Sequence, residues 1–440
     1  MMTIHTSNPA PRSSASHGRA PMIASVSRHG TMIAIVLAAL AACTGETAPP
    51  PPMATIAVPA AAGSGMYTLT QAPDAESTLS WVQSDSVSKT SVLRASTFRD
   101  GGWTAPRTIS TGTGWFLNWA DRPSVTGLPG GATAAHWLET NPGTAPSAYT
   151  YGIKVAYSAD GGANWKRVHH AGRGFRGKNQ YTGFLSFLPG RDGFLAAYLT
   201  PPAEAAAAPS AHSAEDHEHR MTLRVAEFGP GGQLRSDVQL DSSTCTCCPL
   251  GMAQAEAGPV VVYRDRWPGE VRDVSIIRRV NGRWTEPRPV HRDGWVFPGC
   301  PTNGPVVAAK GRRVAVAWFT GVDDRPEVRL AFSADGGETF GAPVRISATR
   351  AVGYAGLVML EDGGAAVSWM EAGAGSAPAL RIRRVSPDGK PGSPVQVAAV
   401  AGGRSGGMPQ LGRSGDGLLL VWKSGQELRS AIVPVARLGS

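Results

Sequence analysis

The stretch Val314-Ala315-Val316-Ala317-Trp318 decides the fold, because a run of small and β-branched residues that ends in one aromatic occurs seven times in the 440 residues. The other copies end at Trp81, Trp137, Tyr198, Tyr263, Trp369 and Trp422, and successive aromatics lie 51 to 65 residues apart. Repeats of about 40–50 residues built from short strands are typical of β-propellers, whose blades bury their faces only against each other. The sequence therefore predicts an all-β propeller of four-stranded blades, in which the longer spacings accommodate inserted loops.

The number of blades follows from the strands within the repeats. The fifth unit has four short apolar runs with a turn signal between each pair, at residues 305–309, 314–318, 328–332 and 344–346. The seventh unit has three such runs, and residues 55–58 have the length and pattern of the missing fourth. Pairing the first and last segments would close the ring and leave no exposed sheet edge. We therefore expect seven blades, with six as the alternative.

Two of the turns between third and fourth strands have the sequence S-x-D-x-G-x-x-W/F. Their defining residues are Ser158, Asp160, Gly162 and Trp165 in the second unit and Ser333, Asp335, Gly337 and Phe340 in the fifth. This sequence is the Asp-box, so residues 66–436 resemble the BNR repeats of sialidases and related propellers. The resemblance implies that both boxes close hairpins on the periphery and have a structural role.

The resemblance also implies what a sialidase-like active site would contain. It would need three arginines around a carboxylate, an acid/base Asp and a Tyr–Glu nucleophile pair. No Arg-Ile-Pro occurs near the first repeat, so no catalytic residue is assigned through the resemblance. Exo-sialidase or other glycoside hydrolase activity is kept as an alternative function.

Residues 1–43 have the features of a targeting segment. An apolar run at residues 32–42 is too short to span a bilayer and ends in Leu40-Ala41-Ala42-Cys43. This resembles the lipobox of bacterial lipoproteins, which implies that Cys43 is acylated and anchors the chain to a membrane. Residues 44–64, rich in Pro and Ala, are predicted to be a flexible tether, and residues 65–440 to be the propeller. Gly45 favours outer-membrane retention in the envelope of a Gram-negative cell.

Composition narrows the functional classes. The formal net charge is +9, but many arginines alternate along outer strands, as in residues 381–385. Nucleic-acid binding would require clustered Lys and Arg with stacking aromatics, so we do not expect it. A His-rich stretch near residues 201–220 is predicted to be a disordered insertion. We expect a monomer without a cofactor or a resident metal.

Four cysteines remain after Cys43, and they lie at the junctions before two consecutive units. Cys245, Cys247 and Cys248 precede the fourth repeat, and Cys300 precedes the fifth. Consecutive junctions lie on the same face of a propeller, so we expect the four residues to be close together. In an oxidising compartment they would form disulfides, with Cys300 bonded to one of the other three. A soft-metal site is the alternative, although C-x-C-C is not a standard zinc spacing.

A loop at residues 264–273, called here the charged loop, holds six charged side chains. Arg264 and Arg272 could present planar donors to a carboxylate or phosphate, and Asp265 or Asp273 could then act as an acid. These four residues are the catalytic candidates. The alternative is a salt-bridge network satisfied within the loop itself.

A second group of candidates lies around the junction before the second repeat. Propellers bind ligands at one mouth of the central channel, and aromatic residues in connecting loops can serve as platforms for sugar rings. The predicted ligand-binding residues are Trp119, Asp121, Arg122, His136, Arg264 and Arg272. Together with the predicted anchor, they lead to a first hypothesis of an envelope-anchored lipoprotein whose propeller binds a glycan or a protein. The second alternative, after glycoside hydrolysis, is a metal- or redox-linked lipoprotein that uses the four cysteines.

Overall fold

The computed structural model describes residues 52–72, 76–140, 151–170, 182–202, 221–373, 377–401 and 403–439. The predicted signal segment, Cys43 and nearly all of the predicted insertion near 201–220 lie outside the described residues. In the described part of the chain, no helix is long and apolar enough to cross a membrane.

The structure is a propeller of seven antiparallel sheets, which confirms the prediction of seven blades. The first strand, β1 (Ala54–Ala57), belongs to blade 7. Blade 1 comprises Gly65–Gln71 (β2), Ser77–Asp85 (β3), Thr90–Arg99 (β4), Gly102–Trp103 (β5) and Arg107–Gly112 (β6). Blade 2 comprises Ser124–Gly127 (β7), Thr133–Thr140 (β8), Tyr151–Ser158 (β9) and Lys166–His170 (β10). Blade 3 comprises Gly183–Gly190 (β11), Gly193–Thr200 (β12), Met221–Phe228 (β13) and Leu234–Thr244 (β14).

The remaining blades follow the same order. Blade 4 comprises Gly251–Ala255 (β15), Gly258–Arg264 (β16), Val274–Val280 (β17), Arg283–Trp284 (β18) and Arg288–Pro289 (β19). Blade 5 comprises Val306–Lys310 (β20), Arg313–Thr320 (β21), Glu327–Ser333 (β22) and Val344–Arg345 (β23). Blade 6 comprises Ala351–Met359 (β24), Ala365–Glu371 (β25), Ala379–Val385 (β26) and Val395–Ala399 (β27). Blade 7 adds Gln410–Ser414 (β28), Gly417–Ser424 (β29) and Glu427–Pro434 (β30) to β1. The described helical segments are short 3-10 turns at Pro129–Gly131, Val322–Asp324, Gly403–Gly406 and Val435–Leu438.

Blade 7 is closed by the N-terminal strand. β1 pairs antiparallel with β30, so that Ala54 lies opposite Ile432 and Ala57 opposite Arg429. The Ser430 hydroxyl also donates a 2.7 Å hydrogen bond to the Ile56 carbonyl. The missing strand was therefore predicted correctly to within one residue. The predicted tether at residues 44–64 is too long, because β1 belongs to the propeller.

The recurring aromatics form the core between the blades. Each lies on the second strand of its blade and is at most 6% exposed. Buried residues of neighbouring blades pack in shared clusters; for example, Trp81 and Leu79 of blade 1 pack with Val421 and Leu428 of blade 7. Because a single sheet cannot cover its own two faces, the repeat is stable only when the ring is complete.

The two segments predicted to be Asp-boxes lie in the turns between the third and fourth strands of blades 2 and 5. In the first, the Ser158 hydroxyl donates to Asp160 and accepts the Gly162 N–H, while Asp160 accepts the Asn164 N–H at 2.9 Å. Ser333, Asp335, Gly337 and Thr339 repeat this arrangement in blade 5. Both carboxylates are therefore used within their own hairpins.

The direction of the first strand in each blade defines two ends of the ring. Since successive strands are antiparallel, the inner strands all begin at one end, called here the upper mouth. The junctions between blades and the loops after each second strand lie at that end, and the turns between third and fourth strands lie at the other. The junction cysteines, the charged loop and the segment at residues 113–123 therefore share the upper mouth.

Candidate functional site at the upper mouth

A central channel of about 670 Å³ runs between the inner strands β2, β7, β11, β15, β20, β24 and β28. Five charged side chains line it in the described part of the chain: Asp121, Arg122, Lys310, Glu361 and Arg413. At the lower end, Glu361 accepts from Lys310 at 2.6 Å and from Arg413 at 2.5 Å. Both cations at the lower end are thus paired with the same carboxylate, and Asp121 and Arg122 are the charged side chains at the upper mouth.

Three inner strands begin with a β-bulge at this mouth. The register shifts between Gly65 and Thr68 in β2, between Gly183 and Ser186 in β11, and between Gly353 and Gly356 in β24. Bulky residues occupy the left-handed region at each bulge: φ is 48° at Met66, 56° at Phe184 and 53° at Tyr354. Bulges re-aim side chains and occur frequently beside active sites, and strained backbone of this kind also clusters at ligand sites.

Two of the bulges are held by the same kind of hydrogen bond, in which a side-chain oxygen accepts a backbone N–H. An Asp121 carboxylate oxygen accepts the Phe184 N–H at 2.8 Å, and the Asn303 amide oxygen accepts the Tyr354 N–H at 2.8 Å. A Cβ atom on Gly183 would lie 2.0 Å from Asp121 Oδ2, and one on Gly353 would lie 2.1 Å from Asn303 Oδ1. The glycine before each bulky residue therefore provides the space that lets an oxygen from another junction approach the backbone.

Asp121 is buried at 1% exposure and is uncharged over part of the physiological range. Burial raises the pKa of its carboxyl group to about 7, although the Phe184 N–H, the Tyr151 hydroxyl and Arg122 lower it. Asn303, which occupies the equivalent position at the other bulge, is permanently neutral. Asp121 can therefore hold the bulge at Phe184 in its protonated form, as the neutral Asn303 holds the bulge at Tyr354.

Arg122 connects three blades and still faces the channel. Its Nη1 donates to the backbone carbonyls of Tyr67 and Met408, both at 3.2 Å. Burial lowers the pKa of Arg122, while Tyr67 and Asp121 raise it, and a guanidinium stays charged in proteins. Among the described residues, the hydrogen bonds that its guanidinium donates all come from Nη1. The side chain therefore offers unused donors to a ligand in the channel.

Two aromatic side chains lie at the upper mouth, and of these Tyr354 lines the channel whereas Trp119 does not. The rings of Trp119 and Tyr354 meet edge to face with 6.0 Å between their centroids, and both are half-buried. Tyr354 is oriented by its bulge, and Trp119 precedes Asp121 by two residues. A half-buried Trp and Tyr present apolar ring area together with polar tips. Tyr354 is therefore the ring that a polar ligand in the channel would meet, with Trp119 packed against it.

His136 lies behind the channel wall. It is fully buried, its Nδ1 lies 2.9 Å from the Ser124 hydroxyl, and its ring packs edge to face on Phe187. Burial lowers its pKa to about 3, so the imidazole is neutral at physiological pH. His136 is not one of the described residues that line the channel. The geometry therefore does not place it where a ligand in the channel would contact it.

The charged loop is directed into the protein. Arg264 is 2% exposed and Arg272 is 3% exposed. Arg264 donates to the carbonyls of Asn303 (3.0 and 2.8 Å), Phe319 (2.7 Å) and Arg272 (2.5 Å), and it stacks over Trp295. Arg272 donates to the Phe297 carbonyl at 3.1 Å and to Glu270. The sequence predicted that these two guanidinium groups face a ligand, but this arrangement directs both into the protein.

The two aspartates of the loop are likewise committed to internal contacts. Asp265 accepts from the Arg266 N–H and the Ser275 hydroxyl, both at 2.7 Å, and burial raises its pKa to about 7. Asp273 accepts the N–H groups of Gly294 and Trp295. The salt-bridge alternative therefore holds only in part: Glu270 pairs with Arg266 and Arg272 within the loop, whereas Arg264 and Asp273 find partners in later segments.

The four junction cysteines are close together, as the repeat predicted. Cys247 is bonded to Cys300, with 6.0 Å between their Cα atoms. Cys245 and Cys248 are buried free thiols whose sulfur atoms lie 3.5 Å apart, so the expected second disulfide is not formed. The bond joins the junction before blade 4 to the junction before blade 5.

Several residues of the mouth were not found from the sequence. They are Met66, Tyr67, Phe184, Asn303 and Tyr354. The available signal was a glycine followed by a bulky apolar or aromatic residue at the start of an inner strand, as at Gly65, Gly183 and Gly353. That signal is common in turns, and only the register shifts identify it as a bulge.

Comparisons with solved structures identify similar folds. The chain is similar to an ulvan lyase from a new family of polysaccharide lyases, bound to -[GlcA(1-4)Rha3S]-, with 10% identity, a TM-score of 0.54 and coverage of 87% of this chain and 96% of that chain. A second structure of such an ulvan lyase has 10% identity and a TM-score of 0.51, and it covers 87% of this chain and 94% of that chain. An α-L-arabinofuranosidase of Fusarium graminearum has 12% identity and a TM-score of 0.47, with 88% and 99% covered, and no argument rests on it. No protein-family model and no curated protein matches the chain. At these identities the likeness concerns the propeller fold alone.

Proposed function

We propose that the protein is an envelope-anchored lipoprotein whose propeller binds an acidic glycan at the upper mouth of its channel. The observation that carries the proposal is Arg122, which lines the channel with unused donors while its Nη1 is held by the backbone of two other blades. A fixed guanidinium with a planar donor edge matches a carboxylate or sulfate. Tyr354, which lines the channel and packs against Trp119, supplies the adjoining ring surface for a sugar.

The anchoring part of the proposal depends on residues 1–43. The lipobox that ends at Cys43 and the short apolar run before it support an acylated N-terminus. The propeller begins at β1, only a few residues after the Pro-rich segment. Such a chain would hold the channel close to the membrane that carries it.

Replacement of Arg122 by glutamine is expected to weaken the binding of an oligosaccharide of galacturonic acid by about 10-fold to 100-fold. A charge-assisted hydrogen bond contributes about 1.5–3 kcal/mol, and each 1.4 kcal/mol is a factor of ten in affinity. Isothermal titration calorimetry with the acidic oligosaccharide and with a neutral galactose oligosaccharide measures the effect. The natural protein should prefer the acidic probe.

Lys310→Gln is the matched control, since Lys310 lines the same channel at the opposite end and is paired with Glu361. It removes the same charge and should leave the affinity unchanged. Because Arg122 also connects blades, the thermal midpoint of each variant is measured in parallel. Equal affinity of the natural protein and a folded Arg122→Gln variant would refute the proposed site.

The affinity for the acidic probe should fall as the pH rises from 6 to 8. Asp121, whose pKa burial raises to about 7, becomes negatively charged in this interval and then compensates Arg122. Because burial raises this pKa, protonation of Asp121 also stabilises the folded protein. Its contribution to the free energy of unfolding is complete below about pH 4 and is lost as the pH rises through about 7. An Asp121→Asn variant should bind with an affinity that no longer changes over this interval. An identical pH dependence in both proteins would exclude Asp121 as its origin.

Glycoside hydrolysis is the second candidate function, and Asp121 is the observation that favours it. A carboxyl group that stays protonated near neutral pH is the usual form of a general acid. A panel of fluorogenic glycosides, sialosides included, tests this possibility. Turnover that disappears in Asp121→Asn would make the protein an enzyme, whereas a folded protein without turnover would leave the binding function.

A further inference from the structure

The junction cysteines place a free thiol against a disulfide. Cys245 Sγ lies 3.9 Å from Cys247 Sγ, which is bonded to Cys300, and 3.5 Å from Cys248 Sγ. Residues 245–248 also form a C-x-x-C sequence, in which Cys247 is the third residue. A nucleophilic sulfur, a disulfide and a resolving sulfur in mutual contact are the groups that thiol–disulfide exchange requires.

We propose that the four cysteines form an internal thiol–disulfide exchange site, in which Cys245 opens the Cys247–Cys300 bond and releases Cys300 as a surface thiol. This inference is independent of glycan binding. Its chemistry needs no external oxidant or reductant, because the two free thiols supply the electrons that the disulfide receives.

The exchange has two balanced steps. In the first, the Cys245 thiolate attacks Cys247 Sγ, a Cys245–Cys247 bond forms, and Cys300 leaves as a thiolate with the electron pair of the broken bond. In the second, Cys248 loses its proton and attacks Cys245 Sγ, and Cys247 leaves as a thiolate. The proton from Cys248 passes through water to Cys300. The product has a Cys245–Cys248 disulfide and the reduced pair Cys247 and Cys300.

The surroundings assign the two free thiols different roles. The Cys248 thiol, the Cys247 N–H and the guanidinium groups of Arg272 and Arg264 lower the pKa of Cys245 to about 6, against the effect of its burial. Burial raises the pKa of Cys248. Cys245 is therefore the nucleophile at neutral pH, and Cys248 is the resolving thiol.

Exposure differs between the two ends of the cluster. Cys245 is 1% exposed and Cys248 is 2% exposed, whereas Cys300 lies at the surface. In the state that the structure shows, the reducing equivalents are held by the two buried thiols. After exchange, the reducing equivalents are held in part by the surface thiol of Cys300, which can reduce a low-molecular-weight disulfide.

Alkylation without any added reductant tests the proposal. The full chain is incubated with iodoacetamide, quenched with acid and mapped by mass spectrometry of its peptides. If exchange occurs, Cys300 becomes alkylated although it begins in a disulfide. Cys300 should be labelled at least ten times faster than in a Cys245→Ser variant, in which the nucleophile is absent.

A Cys248→Ser variant separates exchange from a general loosening of the fold. It keeps the first step, so Cys300 should still be labelled and a Cys245–Cys247 bond should be found. The thermal midpoint and circular dichroism of both serine variants confirm that they are folded. Three results would overturn the proposal: no labelling of Cys300, equal labelling in Cys245→Ser, or four free thiols that hold a stoichiometric metal ion.

Discussion

Replacement of Arg264 by methionine is expected to lower the free energy of unfolding by about 4 kcal/mol. The variant keeps most of the side-chain volume but leaves the carbonyls of Asn303, Arg272 and Phe319 without their donor. Each buried polar group that loses its partner costs about 1–3 kcal/mol. Urea denaturation, followed by tryptophan fluorescence, measures the change.

The effect should extend to the upper mouth because Arg264 acts on it through Asn303. Arg264 holds the Asn303 carbonyl, and the Asn303 side chain holds the Tyr354 amide. Arg429→Met is the matched control, since Arg429 is exposed and pairs with the exposed Glu427. That pair is worth less than about 1 kcal/mol. Similar losses in the two variants would contradict the structural role of Arg264.

Removal of β1 is the second change with a large expected effect. A chain that begins at residue 62 lacks the four residues that pair with β30, together with Val58 and Ala60, which pack on the core between blades 7 and 1. At about 1 kcal/mol for each lost backbone hydrogen bond, the stability should fall by roughly 4 kcal/mol. The exposed edge of β30 should also promote association of the chains.

A chain that begins at residue 52 is the control for this truncation. It keeps β1 and should unfold at the same temperature as the full chain. Light scattering during a thermal scan reports association. If the two truncated chains had the same midpoint and the same scattering, the ring would not depend on its N-terminal strand.

The fold could be predicted in detail because its determinants repeat along the chain. Each aromatic strand, such as the one ending at Trp318, carries the same burial requirement, so seven copies specify seven blades. The three-stranded seventh unit likewise required a fourth strand from elsewhere. These features are local in sequence, and a pattern of short strands and turns is enough to find them.

The candidate site could be predicted only in part. Asp121 and Arg122 were identified as polar residues beside an aromatic segment, and the structure places both at the channel. Arg264 and Arg272 were chosen for their charge, but a linear sequence does not show that backbone carbonyls of later blades surround them. Burial of a charged group depends on which distant segments pack on it.

The sequence by itself determined the propeller, its seven blades, its closure by the N-terminal strand and the meeting of the junction cysteines. Each of these follows from repeated local patterns and from the order of strands in a blade. Only the tertiary structure decided which side chains face the channel, since the bulges at Phe184 and Tyr354 depend on oxygens of Asp121 and Asn303. Those oxygens come from segments 63 and 51 residues away in the chain. The physical reason is that these hydrogen bonds between neighbouring blades form only after the blades have packed.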